Sequence, residues 1–198
     1  MTMLILASSS GIRARLLREA GVQFGVRPPD VDEASIKDML RHDGVAPDGF
    51  ADALAEAKAL NVSDAMPHAL VLGCDQVLLC EGRVFDKARD PAEARDTLAF
   101  LRGRDHQLVT SCVLAESAKP VWRYTERATL RMRNFSDEFL DAYLKNEGKV
   151  VLGSVGCYQL EGRGAQLFDA INGDFFCVLG LPLLPLLAAL RGRGLIAS

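Results

Sequence analysis

What this sequence lacks excludes several classes of protein. It has no surplus of positive charge: 23 Lys and Arg stand against 26 Asp and Glu, a net charge of −3 over 198 residues. That gives no electrostatic basis for wrapping a nucleic-acid polymer, although a nucleotide monomer would need only a local cluster of cations. Paired cysteine spacing is also missing. The cysteines, Cys74, Cys80, Cys112, Cys157 and Cys177, are odd in number and form no CxxC. They read as reduced, mostly buried thiols of a cytosolic protein. His42, His68 and His106 are scattered and spell no zinc site. Apolar runs are short. The longest candidate, Leu179–Leu190, is interrupted by Pro182 and Pro185, so no membrane span is expected. Met-Thr-Met followed by a short apolar run predicts no signal peptide. There is neither a dinucleotide-binding glycine fingerprint nor a Walker loop. Internal repeats and low-complexity segments are absent as well.

What is present centres on Leu70-Val71-Leu72-Gly73-Cys74-Asp75-Gln76-Val77-Leu78-Leu79. Apolar residues on both parities indicate a strand covered on both faces. A carboxylate in such a strand is costly unless it is paired, metal-bound or protonated. Two readings stand. In one the strand is continuous, and Gly73 marks a bulge or the close approach of a ligand to the backbone. In the other the strand ends at Gly73 and Cys74-Asp75-Gln76 is a surface turn.

Upstream, Met3–Ala7 reads as a first buried strand. Ser8-Ser9-Ser10-Gly11 ends it, and Ile12, Leu16, Leu17 and Ala20 are apolar at helical spacing. A hydroxyl-rich turn at a helix N-terminus suits a phosphate, and Arg13 would add a fork-shaped donor. The plainer alternative makes Ser10 an N-cap and the arginines a solvated face. A short strand at Phe24–Pro28 precedes Asp30-Val31-Asp32-Glu33. This acidic loop could offer hard oxygen ligands to Mg²⁺ or could simply lead into a helix. Helices are expected at Ser35–Arg41 and Gly49–Ala59. Lys58 lies just off the apolar stripe of the second, where a lysine ordinarily snorkels at the surface.

Downstream, Glu81-Gly82 signals a hairpin and Arg83–Lys87 its return strand. Asp90-Pro91-Ala92-Glu93 is a helix start with N-cap, Pro at the first position and Glu three after the cap, and Gly103 fits the C-cap. Gln107–Leu114 and Lys119–Arg133 read as long strands, the second alternating as an antiparallel strand with one wet face. Trp122 and Tyr124 there read as packing or interface residues. Ser136 starts a helix to about Lys145. Gly148, Gly153, Gly156, Gly162 and Gly164 then mark either a pocket wall or a bulged hairpin. Phe175–Leu179 is expected as a last strand and Pro182–Arg191 as a closing helix. Helices alternating with strands around an antiparallel meander predict an α/β fold with a mixed, strongly twisted sheet flanked by helices. The chain is expected to form one domain, 1–198, with two lobes around a cleft between the N-terminal elements and the Gly-rich C-terminal part.

Taken together these segments resemble the Maf family of nucleoside triphosphate pyrophosphatases. The resemblance rests on Leu6-Ala7-Ser8-Ser9-Ser10 with Arg13 and Leu16-Leu17; Asp30-Val31-Asp32-Glu33; Lys58-Ala59; Gly73-Cys74-Asp75-Gln76-Val77; Lys87 with Arg89-Asp90; Glu161-Gly162-Arg163-Gly164-Ala165; and Gly173-Asp174 followed by Gly180-Leu181-Pro182-Leu183. It implies hydrolysis between the α and β phosphates of a nucleoside triphosphate, a divalent cation (Mg²⁺ or Mn²⁺) and commonly a homodimer, while the unpaired thiols predict a cytoplasmic protein. It implies Asp75 as proton acceptor, with Lys58 and Lys87 as catalytic cations and Ser8, Ser10 and Arg13 at the phosphates. Glu33 and Asp75 are implied on the metal. Ile12, Gln76 and Glu161 match positions that select the base. Pyrimidine-preferring members carry Arg, Thr and Gln at those positions. Members acting on 7-methyl-GTP share Gln76 and Glu161 but have Trp where Ile12 stands. A carboxylate suits a guanine edge, so the expectation leans to a guanine-like or modified purine triphosphate. Because the family is also linked to septum formation, a non-catalytic nucleotide-binding regulator is the competing reading. The chain departs from the family pattern at Gly11, at Asp86-Lys87-Ala88 and at Leu152–Gly156.

Overall fold

The computed structural model describes residues 3–197. Seven strands form one mixed sheet: β1 (Leu4–Ala7), β2 (Gly25–Val26), β3 (Leu70–Cys80), β4 (Arg83–Phe85), β5 (Asp105–Glu116), β6 (Lys119–Met132) and β7 (Phe168–Asn172). The hydrogen-bonded order is β2-β1-β3-β5-β6-β7, with β4 paired to β3. β1 runs parallel to both β2 and β3, with Leu4 opposite Leu70 and Ala7 opposite Gly73. The helices are α1 (Gly11–Glu19), α2 (Glu33–His42), α3 (Phe50–Ala65), α4 (Pro91–Leu101), α5 (Asp137–Glu147), α6 (Phe175–Val178) and α7 (Leu183–Gly192). The expected α/β class with a mixed sheet and flanking helices is what the chain adopts.

Contacts divide the chain into two compact units. The first holds the described residues of Met1–Gln76, Thr110–Glu126 and Asp174–Ser198; the second holds Val77–Val109 and Arg127–Gly173. In the first unit α3 lies on the sheet. Ala55 and Ala59 pack with Val113 and Ala115, and Val62 packs with Ile5, Ala7, Ala69 and Val71. Gly73 permits this packing: a Cβ there would fall 2.2 Å from the carbonyl oxygen of Ala55 and 2.6 Å from the amide nitrogen of Ala59. The backbone that approaches Gly73 is therefore a helix of the same chain, not a ligand. β3 continues through Gly73 to Cys80, so the reading of Cys74–Gln76 as a surface turn is overturned. On the other parity of β3, Cys74 meets Cys112 with sulfurs 3.1 Å apart. All five cysteines are free and buried, as expected.

In the second unit Glu81 and Gly82 turn with positive φ (50° and 76°), returning the chain as β4. Asp90 caps α4 through the Glu93 amide at 2.9 Å, and Glu93 reaches back to the Arg89 amide at 2.8 Å. Ser136 caps α5 at the Phe139 amide. Arg95 of α4 and Arg102, the residue that follows that helix, pair with Asp141 and Asp137 of α5. His106, Tyr158 and Phe168 form a buried aromatic cluster, with His106 Nε2 and the Tyr158 hydroxyl 2.8 Å apart.

One expected element is corrected. Phe175–Leu179 is not a strand: Phe175–Val178 is a helical turn, α6, because the Asp174 side chain accepts the Cys177 amide at 2.8 Å and caps it. The last strand is β7, paired antiparallel to β6. Other boundaries differ in length. α3 runs six residues beyond Ala59, and β5 extends past both ends of Gln107–Leu114. Among the described residues, no helix is long and apolar enough to cross a membrane.

Candidate active site

The site grows from the close contact at Gly73. Asp75 shares the face of β3 that carries Gly73, because side chains alternate along a strand. Lys58 sits on α3 next to Ala59, where the helix touches the strand. Sheet and helix therefore deliver a carboxylate and an ammonium to one point, and Lys58 Nζ donates to Asp75 Oδ1 at 2.6 Å. Both residues are buried, at 8% and 6% exposure. Lys58 is thus not the snorkelling surface lysine that its place beside the apolar stripe suggested.

The same ammonium lies 2.8 Å from Glu33 Oε1. Glu33 reaches it because the loop ahead of α2 is pinned to α3. The Asn61 amide accepts from the Asp30 N–H at 3.0 Å and donates to the Asp30 carbonyl at 3.1 Å. Asp32 then caps α2 at the Ser35 amide, setting Glu33 in the first helical turn. The acidic loop divides its work: Asp32 starts the helix, while Glu33 faces Lys58. Nothing in the sequence singled out Asn61. Its spacing of three from Lys58, which puts both on one helical face, was the available signal.

Arg13 approaches from the other flank. Its Nη1 donates to the Ser8 hydroxyl at 3.2 Å and to the Cys74 carbonyl at 2.9 Å, and its Nε donates to the Gly180 carbonyl at 2.7 Å. The Ser8 hydroxyl also accepts the Ser10 N–H at 3.2 Å. Ser10 is the N-cap of α1, as the plainer reading had it, but its side chain makes no capping bond. Arg13 is therefore tied to the turn after β1, to the residue before Asp75 and to the turn after α6, and its Nη2 amino group takes no part in those bonds. Ile12, beside it on α1, is half-buried. Gln76 faces the opposite side of β3 from Asp75. Its Nε2 donates to Thr110 Oγ1 at 2.8 Å and to the carbonyls of Cys177 and Val178 at 2.9 and 3.2 Å. Thr110 was invisible as a site residue in the sequence, and Gly180 stood out only as part of a family segment, because their importance lies in partners remote along the chain.

Burial pushes the Asp75 carboxyl above the ordinary carboxylate range. Lys58 and Arg13 oppose that shift with positive charge, and Glu33 adds to it. A carboxylate held in this way is a better base than one in water. The first unit thus holds Ser8, Ser10, Ile12, Arg13, Glu33, Lys58, Asp75 and Gln76. Lys87 and Glu161 belong to the second unit, both exposed, on the chain before α4 and ahead of the 3₁₀ turn Arg163–Leu167.

The donor set suits a hard divalent cation. Glu33 and Asp75 converge on one ammonium, so both carboxylates lie within reach of a common point. Mg²⁺ and Mn²⁺ favour oxygen donors, and Mg²⁺ typically takes one or two carboxylates, completing its shell with water and substrate phosphate. Among the described residues no group of three or more His, Cys, Asp and Glu could hold a metal unaided. The substrate would have to supply the remaining oxygens.

The description that matches this chain is Maf-like protein, over residues 3–193. A Granulibacter bethesdensis protein named nucleoside triphosphate pyrophosphatase is 50% identical over 188 residues, 95% of each chain. A Caulobacter vibrioides protein of the same name is 48% identical over 98% of this chain and 97% of its own. A Brucella abortus protein named 7-methyl-GTP pyrophosphatase is 44% identical over 95% of this chain and 94% of its own. With a family match over residues 3–193 and relatives of this identity and coverage, the chain belongs to the Maf-like family.

Proposed function

We propose that this protein hydrolyses a nucleoside triphosphate between its α and β phosphates, releasing a monophosphate and diphosphate. The observation that carries the proposal is Asp75, a buried carboxylate with its proton affinity raised, held by Lys58 beside an arginine anchored by three hydrogen bonds. Asp75 orients the attacking water and accepts its proton. Arg13 offers its Nη2 edge to the phosphate oxygens where negative charge develops. Lys58 holds the two carboxylates in register, and Ser8 holds Arg13. Glu33 and Asp75 would hold a Mg²⁺ or Mn²⁺ ion, which when bound supplies Lewis-acid polarisation of the phosphates. We assign Ser10 to the phosphates, Lys87 to the catalytic cations, and Ile12, Gln76 and Glu161 to base selection. The carboxylate of Glu161 favours a guanine-like or modified purine base. The relatives bear both the general and the 7-methyl-GTP name, and Ile12 offers no aromatic face to a cationic ring. The protein acts as a homodimer in the cytoplasm, a compartment that suits five free thiols.

The test is release of pyrophosphate from a panel of GTP, 7-methyl-GTP, UTP and TTP with Mg²⁺ or Mn²⁺. Turnover of at least one member, fastest on a guanine-type base and lost with chelator, is expected. Binding without turnover of any member would favour a regulator instead. Alanine at Lys87 and glutamine at Glu161 test the second-unit assignments, the first through kcat and the second through the ranking of bases. Sedimentation velocity tests the dimer.

A further inference from the structure

Thr110 on β5 is fully buried and has no part in the chemistry proposed above. Its hydroxyl donates to the Cys177 carbonyl at 3.0 Å, which leaves its lone pairs to accept the Gln76 Nε2 at 2.8 Å. That same nitrogen also donates to the carbonyls of Cys177 and Val178. Carbonyls only accept, so the amino end of the Gln76 amide must face Thr110 and α6, and its Oε1 is turned away. The turn after α6 runs on to Gly180, whose carbonyl accepts Arg13 Nε. Gly180 has φ +95°, and a Cβ there would lie 3.6 Å from Arg13 Nε and Nη2 and 3.9 Å from Gln76 Oε1. Arg13, Gly180 and the Gln76 carbonyl end thus lie side by side, and the Cys177–Gly180 turn that sets them is fastened to the sheet by Thr110 and Gln76.

We propose that Thr110 is a positioning residue: its hydroxyl locks the Gln76 amide to the Cys177–Gly180 turn and thereby holds the Arg13 guanidinium in place for the triphosphate. The inference rests on the reading of Arg13 as a phosphate ligand. Valine at this position keeps the shape and removes the hydroxyl, while serine keeps the hydroxyl.

In Thr110→Val the KM for the preferred triphosphate should rise about tenfold, the scale expected when a buried hydroxyl that both donates and accepts is removed. Thr110→Ser should stay within about twofold of wild type, and the valine effect should vanish when Arg13 is already alanine. A readout free of turnover is the Arg13 Nε–H signal of ¹⁵N-labelled protein, whose exchange with solvent should quicken about tenfold in Thr110→Val as its bond to Gly180 loosens. If the valine variant does not fold, Thr110→Ala removes the same hydroxyl without adding a methyl group and is measured in its place. Wild-type KM and exchange in the variant, even with a lowered Tm, would overturn the proposal, as would an equal loss in the Arg13→Ala background. Failure of the wild-type protein to release pyrophosphate would overturn the functional reading alone, and the exchange rate would still decide the role of Thr110.

Discussion

Asp75 is held ionised at a cost. Its carboxyl titrates above the ordinary range because burial outweighs the charges of Lys58 and Arg13. The folded state therefore binds this proton more tightly than the unfolded state. Asp75 contributes stability at low pH that is lost as pH rises through its folded pKa. Asparagine removes that cost while Lys58 keeps Glu33. Asp75→Asn should lower kcat at least about a hundredfold yet leave Tm at pH 7 at or above the wild-type value, as differential scanning calorimetry would show. A large loss of Tm would mean that the pair stabilises the fold. Lys58 acts in the opposite sense on the same proton, so Lys58→Met should move the acid limb of the pH–rate profile to higher pH. The sequence pointed to Asp75 because a carboxylate inside an apolar run needs an explanation. It pointed away from Lys58, because whether a lysine at the edge of a helical stripe is buried depends on how closely that helix meets its sheet.

At the scale of elements, the contact between α3 and β3 carries the site. Gly73, Ala55 and Ala59 are small where the two backbones meet. Gly73→Ala would force the helix off the strand. It should cost about 3 kcal/mol or more in urea unfolding, at the upper end of overpacking effects, and should lower kcat as Lys58 withdraws from Asp75. Asn61→Ala frees the loop before α2 and should cost about 1 kcal/mol while raising the KM for the metal–nucleotide complex, as Glu33 loses its fixed approach to Lys58. Helix starts with strong local chemistry were legible, α4 and α5 above all, since their caps lie within four residues of each other. α6 was not legible as a helix: a short apolar run of five has no period of its own, and a single capping bond, from the Cys177 amide to the Asp174 side chain, decides its form. β7 was not foreseen because its five residues are mostly exposed and owe their strand form to pairing with β6.

At the scale of the whole molecule, a buried group outside the site that titrates below neutral pH is His106. Burial lowers its pKa from 6.5 to about 4. The histidine is neutral in both states above pH 6.5. Below that the unfolded chain takes up the proton first, so stability falls as pH drops from 6.5 toward 4, by about 3 kcal/mol in all at 1.36 kcal/mol per unit. His106→Gln should flatten the pH dependence of chemical denaturation across that window and leave it unchanged above pH 7. By itself the sequence determined the α/β class, most helix starts and the residue types of the site, because these depend on local periodicity, capping chemistry and composition. Only the tertiary structure decided that α3 lies against Gly73, that Lys58 is shared by Asp75 and Glu33, and that Thr110 and Gly180 stand behind Gln76 and Arg13. Those facts depend on which distant backbone segments come within hydrogen-bonding distance, and the folding of the sheet brings them there.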